Sequence, residues 1–132
     1  MIRFLEIKTT RRAEMVNIGP QVRDAVLASG LVEGAVHLWS LHTTCALTVN
    51  ESADPDVARD LVWKMGELVP HQDARYRHKE GNSDSHVKTS LFGPGLTLLI
   101  HKGDVILGTW QGVFLAEWDG PRTRRVALRI SS

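Results

Sequence analysis

Three stretches of this chain gather side chains able to do chemistry, each set among apolar residues. They are His42-Thr43-Thr44 with Asn50-Glu51, the run His78-Lys79-Glu80-Gly81-Asn82-Ser83-Asp84-Ser85-His86, and Gly108-Thr109-Trp110-Gln111-Gly112. A neutral imidazole is the commonest metal ligand, and His78 and His86 flank a polar segment deformable enough to close both around one ion. The alternative for this pair is a solvated loop. His42 ends an apolar strand, where it serves equally as a ligand or as a core histidine hydrogen-bonded to a carbonyl. Glu51 has two readings: a general base or ligand, or a carboxylate favoured by the positive end of the following helix. Trp110 offers an aromatic face and Gln111 a donor and an acceptor, while the flanking glycines permit close approach of a ligand or a β-bulge. Glu117 alternates with Phe114 and Ala116, which makes it an edge residue or a buried, partnered carboxylate. Arg122 and Arg124, with Lys88, form a cationic set that suits phosphate.

The elements that must position these groups are legible from periodicity and punctuation. Residues 2–8 alternate as a first strand, and residues 14–18 suggest a short second one. Gly19-Pro20 opens a helix carrying Val22, Ala25 and Val26, with Gly30 at its exit. Residues 34–41 and 45–50 read as strands. Asp54-Pro55-Asp56 is a strong helix start, with a capping oxygen, a proline at N1 and an acid at the dipole's positive end. Val57, Leu61, Met65 and Leu68 then form one apolar stripe, ending near Pro70. Residues 71–85 read as a long polar loop. Leu96–His101 and Asp104–Gly108 flank a turn, and Gly112–Trp118 pairs with Arg124–Ile130. The expected fold is α+β: one domain over residues 1–132, a mostly antiparallel sheet and two main helices on one side.

Composition narrows the class of function. With 132 residues, the chain is long enough for a core without disulfides or structural zinc. A formal charge of +1 gives no polyelectrolyte bias, so no nucleic-acid partner is expected. The single cysteine, Cys45, is read as packing and points to a reducing compartment. No long apolar run suggests a membrane span or leader, so the expected location is cytoplasmic, without a membrane partner.

The three polar blocks, in this order, resemble the YjbQ-like family. The resemblance rests on His42-Thr43-Thr44-Cys45-Ala46-Leu47-Thr48-Val49-Asn50-Glu51 with Asp54-Pro55-Asp56-Val57. It continues in Tyr76 to Asn82, His86 to Leu91, and Gly108 to Glu117 with Arg124-Arg125. It implies an α+β homotrimer with a divalent metal site, Zn²⁺ or Mg²⁺, on His42, His78 and His86 near a subunit boundary. It also implies a secondary thiamine-phosphate synthase activity, joining a pyrimidine-methyl diphosphate to a thiazole phosphate with release of pyrophosphate. In that frame Glu51, Gln111 and Glu117 are the catalytic candidates, and Lys88, Trp110, Arg122 and Arg124 hold the small phosphorylated substrate. Where many members carry a histidine-arginine pair after the acid matching Glu117, this chain has Trp118-Asp119-Gly120-Pro121-Arg122. The same residues also fit a metal-dependent hydrolase using Glu51 or Glu80 as base, or a non-enzymatic metal- or metabolite-binding protein.

Overall fold

A computed structural model describes all of residues 1–132. The strands are β1 (Ile2–Lys8), β2 (Glu14–Asn17), β3 (Gly34–Ser40), β4 (Cys45–Glu51), β5 (Gly95–His101), β6 (Asp104–Val105), β7 (Gln111–Glu117) and β8 (Thr123–Ser131). The helices are α1 (Gly19–Ser29), α2 (Pro55–Leu68) and α3 (Ser83–Phe92). All pairings are antiparallel and make two sheets, β1-β8-β3-β5-β6 and β2-β7-β4. This is the expected single-domain α+β architecture, but the strands are divided between two sheets, and the expected pairing of Gly112–Trp118 with Arg124–Ile130 does not form: β7 pairs with β2 and β4, and β8 with β1 and β3.

The alternation read along β1, β3, β5 and β8 turns Ile7, Val36, Leu38, Leu98, Ile100, Val126 and Leu128 to one side of the larger sheet. There they pack on Cys45, Leu47, Val113 and Leu115 of the smaller sheet, with Val22, Ala25 and Val26 of α1. The opposite face of the smaller sheet carries Ala46, Ala116 and Trp118 against Met65 of α2, with Phe92 of α3 beside them. Strand β7 is therefore covered on both faces, which accounts for its unbroken run Val113-Phe114-Leu115-Ala116. Helix α1 exits through Gly30 at φ 68°, and α2 starts with the Asp54 carboxylate accepting from the Asp56 N–H at 2.9 Å. Leu68 is exposed, and Val69 packs toward Trp118 in its place.

The principal departure from the sequence reading is α3. It begins in the last three residues of the segment read as loop and continues through Phe92, a stretch for which no element was expected, and its buried face is Asp84, Ser85, Lys88 and Thr89. Apolar periodicity cannot reveal a helix whose inward stripe is polar. Salt bridges hold it instead. The Asp84 carboxylate accepts from Arg12 at 3.0 and 3.2 Å and from Lys88 Nζ at 2.9 Å, and Lys88 Nζ lies 5.5 Å from the Trp118 ring centroid. The Ser85 hydroxyl donates to the Trp118 carbonyl at 2.6 Å. Burial raises the Asp84 carboxyl pKa, and the hydrogen bonds from Arg12 and Lys88 more than offset that, holding it below the usual 3.8.

A buried pair gains little over an apolar isostere, but removing one partner strands the other charge. Asp84→Asn is expected to cost about 3–5 kcal/mol in urea unfolding, with part recovered when Lys88→Met is added. Equal stability of Asp84→Asn and wild type would remove the ion pairs from the account of α3. At Gly112 an added Cβ would lie 2.5 Å from the Ser52 Cβ. Gly112→Ala is expected to lower stability by about 1–3 kcal/mol and Ser52→Gly to restore most of it, measured in the same unfolding experiment.

Candidate functional site

The β4–β7 ladder divides the predicted site residues into two groups. Its register opposes Glu51 to Gln111 at one end and Cys45 to Glu117 at the other. At the strand rise of roughly 3.4 Å per residue, these ends are about 20 Å apart. Glu51 and Gln111 are cross-strand neighbours; Glu117 belongs elsewhere.

At the Glu117 end, β7, β8 and the turns before β4 and after β1 meet in one buried polar knot. Arg124 donates through Nε to Glu117 Oε1 at 2.8 Å and through Nη2 to Glu117 Oε2, and Nη2 also reaches Thr44 Oγ1 at 2.9 Å. Thr9 Oγ1 donates to Glu117 Oε1 at 2.7 Å, and the Trp118 and Asp119 N–H groups donate to Oε2 at 3.0 and 3.1 Å. All four lone-pair directions of the carboxylate are engaged. Burial works against the Arg124 charge, yet the bond to Glu117 raises its pKa above the ordinary guanidinium value. Lys88 is likewise enclosed by Asp84, whereas Arg122 is half exposed and donates to the Asp119 carbonyl and carboxylate at 2.7 and 3.0 Å.

His42 adjoins this knot. Its Nε2 accepts the Arg125 backbone N–H at 2.8 Å, which fixes a neutral ring with the proton on Nδ1. His78 and His86 do come together. Their ring centroids are 5.3 Å apart at 84°, and with Ser83 and Val87 they line an open hollow of about 370 Å³. Neither ring is hydrogen-bonded within the chain; the nearest carboxylate oxygen, Glu80 Oε2, is 3.8 Å from His78 Nε2. The preceding segment is held by its own contacts, with Tyr76 OH donating to the Pro70 carbonyl and the His71 ring to the Gly81 carbonyl, each at 3.0 Å. Asn82 heads α3 and donates from Nδ2 to Asp119 Oδ2 at 2.8 Å, which ties the histidine helix to the knot. No three His, Cys, Asp or Glu side chains group within the chain so as to hold a metal ion. Two imidazoles are a half-set for a tetrahedral transition metal and leave positions for other donors.

At the far end of the ladder, the Glu51 carboxylate has no partner in the chain and lines a cleft of about 380 Å³ with Arg11 and Arg59. Gln111 Oε1 accepts the Gly108 N–H at 2.8 Å, and the Trp110 carbonyl accepts the Ser52 N–H at 2.8 Å. The turn is thereby fastened beside Glu51, with Trp110 63% exposed. Sequence reasoning missed Thr9, Arg12, Asn82 and Asp119. Thr9 and Arg12 are marked only by Glu117 and Asp84, distant in sequence, and Asn82 and Asp119 meet across 37 positions.

Burial lowers the His42 pKa below the usual 6.5, and the charge of Arg124 adds to the effect while Glu117 opposes it. Folding therefore disfavours protonation. The stability contributed by the neutral ring is complete above 6.5 and is lost as pH falls toward the lower folded value. Unfolding free energies between pH 7 and 5 are expected to decline with acidification, with a shallower decline in His42→Gln; identical slopes would contradict this.

The family model for UPF0047 protein YjbQ-like matches residues 3–132. Protein YugU of Bacillus subtilis is 40% identical over 130 residues, covering 98% of each chain. A UPF0047 protein of Methanocaldococcus jannaschii is 42% identical over 125 residues, covering 95% of this chain and 90% of that one. The crystal structure of a Clostridium acetobutylicum ortholog of YugU superposes with a TM-score of 0.95 at 39% identity, over 98% and 99% of the two chains. A conserved hypothetical protein of Thermus thermophilus gives 0.92 at 48% identity, over 98% and 99%. Fold and length agree across these matches, and the chain belongs to the YjbQ-like UPF0047 family.

Proposed function

We propose that this protein acts on a small phosphorylated metabolite at a site where His78 and His86 hold a divalent transition metal, with further donors supplied by another copy in a cytoplasmic homotrimer. The observation that carries this reading is the adjacent pair of imidazoles, set edge to face at 5.3 Å, free of hydrogen bonds and open to solvent. Imidazole donors favour Zn²⁺ over Mg²⁺, which prefers oxygen. When bound, such an ion supplies positive charge to a departing phosphate or diphosphate.

The reaction that fits the family resemblance is thiamine-phosphate formation, with carbon–nitrogen bond formation and release of pyrophosphate. Arg122, half exposed and held on one side by Asp119, keeps N–H groups for phosphate oxygens, whereas the exposed face of Trp110 lies at the Glu51 end of the ladder and serves a heterocycle at this site only from another copy of the chain. Glu117, Arg124 and Lys88 act through the frame, keeping α3 and its histidine in place. Support for self-association comes from the outer face of the larger sheet. Ile2, Phe4, Trp39 and Leu99 are each more than half exposed there, beside a hollow of about 570 Å³ lined in part by His37 and Arg129. No helix is long and apolar enough to cross a membrane.

The test is a Zn²⁺ titration followed by calorimetry, alongside a fluorescence assay for thiamine phosphate from the two precursor phosphates. His78→Ala and His86→Ala are each expected to weaken Zn²⁺ binding by at least about tenfold and to abolish product formation. Undiminished Zn²⁺ binding in both variants would refute the metal reading. Zn²⁺ binding without product from wild type would leave a binding protein and remove the transferase.

A further inference from the structure

The cleft beside Glu51 holds charged groups that the histidine site does not use. It runs between α2, the segment joining β1 to β2, and the end of β4, with Met15, Val62 and Phe114 among its apolar lining. Three ionic side chains in it have no side-chain partner within the chain: the Arg11 and Arg59 guanidiniums and the Glu51 carboxylate. The other two carboxylates are occupied. Glu14 accepts the Thr10 and Arg11 backbone N–H groups at 2.6 and 2.9 Å, and Asp54 caps α2.

Each unpaired group has a definite complement. A guanidinium presents a fork of N–H donors suited to a carboxylate or phosphate, and a carboxylate accepts from an ammonium. The lining carries two positive and three negative side chains, so a bare anion meets net repulsion, whereas a ligand bearing both signs does not. The volume, about 380 Å³, is that of a pocket for one small molecule, and the apolar side chains suit a compact carbon body between its charged ends.

We infer that this cleft binds a small zwitterion: a protonated amine and an oxyanion, phosphate or carboxylate, joined by an apolar body of about one ring. Glu51 receives the ammonium, Arg11 and Arg59 receive the oxyanion, and Met15, Val62 and Phe114 cover the body. The cleft contains neither His78 nor His86, so its occupancy is independent of the metal reading and is measured on metal-free protein.

Pyridoxamine 5′-phosphate is a suitable fluorescent probe because it carries an amine, a ring and a phosphate. Pyridoxamine lacks the phosphate and pyridoxine 5′-phosphate lacks the amine; 4-(aminomethyl)benzoate, with its ammonium and carboxylate across one ring, supplies the carboxylate form. Saturable binding of a zwitterion is expected, with each one-headed analogue about tenfold or more weaker, the size of one charge-assisted contact. Glu51→Gln is expected to erase the preference for pyridoxamine 5′-phosphate over pyridoxine 5′-phosphate. Arg11→Ala combined with Arg59→Ala is expected to erase its preference over pyridoxamine. A variant that failed to fold would lose every ligand alike, so this crossed pattern separates recognition from stability. Tighter binding of 4-(aminomethyl)benzoate would assign the oxyanion to a carboxylate and support the same site. Equal binding of one-headed and two-headed ligands, or no saturable binding of either zwitterion to wild type, would overturn the inference.

Discussion

The bond between Glu117 and Arg124 joins the two sheets where β7 ends and β8 begins. Glu117 closes β7 of the smaller sheet and Arg124 opens the body of β8 in the larger one, and Thr9 and Thr44 complete the shell. A carboxylate with every acceptor direction filled tolerates burial; one with a vacant direction does not. The local order extends outward from this pair. The Asp119 N–H is fixed by Glu117, the Asp119 carboxylate receives Asn82, and Asn82 heads the helix that carries His86. Helix α3 has almost no apolar face of its own, so its position depends on this chain of polar contacts and on Asp84 with Arg12 and Lys88.

This construction explains why strongly polar, chemistry-like residues lie so deep. Arginine, lysine and glutamate side chains that read as substrate-binding groups along the sequence are, in three dimensions, partners of one another. Their role is to hold position. The groups that remain for ligands are fewer and more exposed: the two adjacent imidazoles, Trp110, the side of Arg122 not held by Asp119, and the unpaired charges around Glu51. Because β7 keeps its two ends about 20 Å apart, the histidine end and the Glu51 end are separate workplaces within one chain.

The strands and the first two helices were legible because apolar alternation, Gly30, and the Asp54-Pro55 start are local signals with local causes. Helix α3 was not, since its inward residues are Asp84, Ser85, Lys88 and Thr89, and a polar stripe resembles a loop until its partners are known. The division into two sheets was hidden for a similar reason: nothing in β2, β4 or β7 alone states which edge it joins. Within the site, the histidine pair was readable from composition and spacing. The opposition of Glu51 to Gln111 was not, because register is set by tertiary pairing between residues sixty positions apart. Arg12 carried no signal at all, and Asn82 stood in the polar block without a role; partners distant in sequence leave no periodic trace.

The central claim is that a polar scaffold presents His78 and His86 as a metal-binding pair. The most direct measurement is an anomalous difference map at the zinc edge, from crystals of the protein grown with Zn²⁺. The account predicts a single strong peak within bonding distance of a nitrogen of both rings, at about 2.0–2.1 Å. A map with its zinc elsewhere, or one in which the two imidazoles face each other with nothing between them at saturating Zn²⁺, would contradict it.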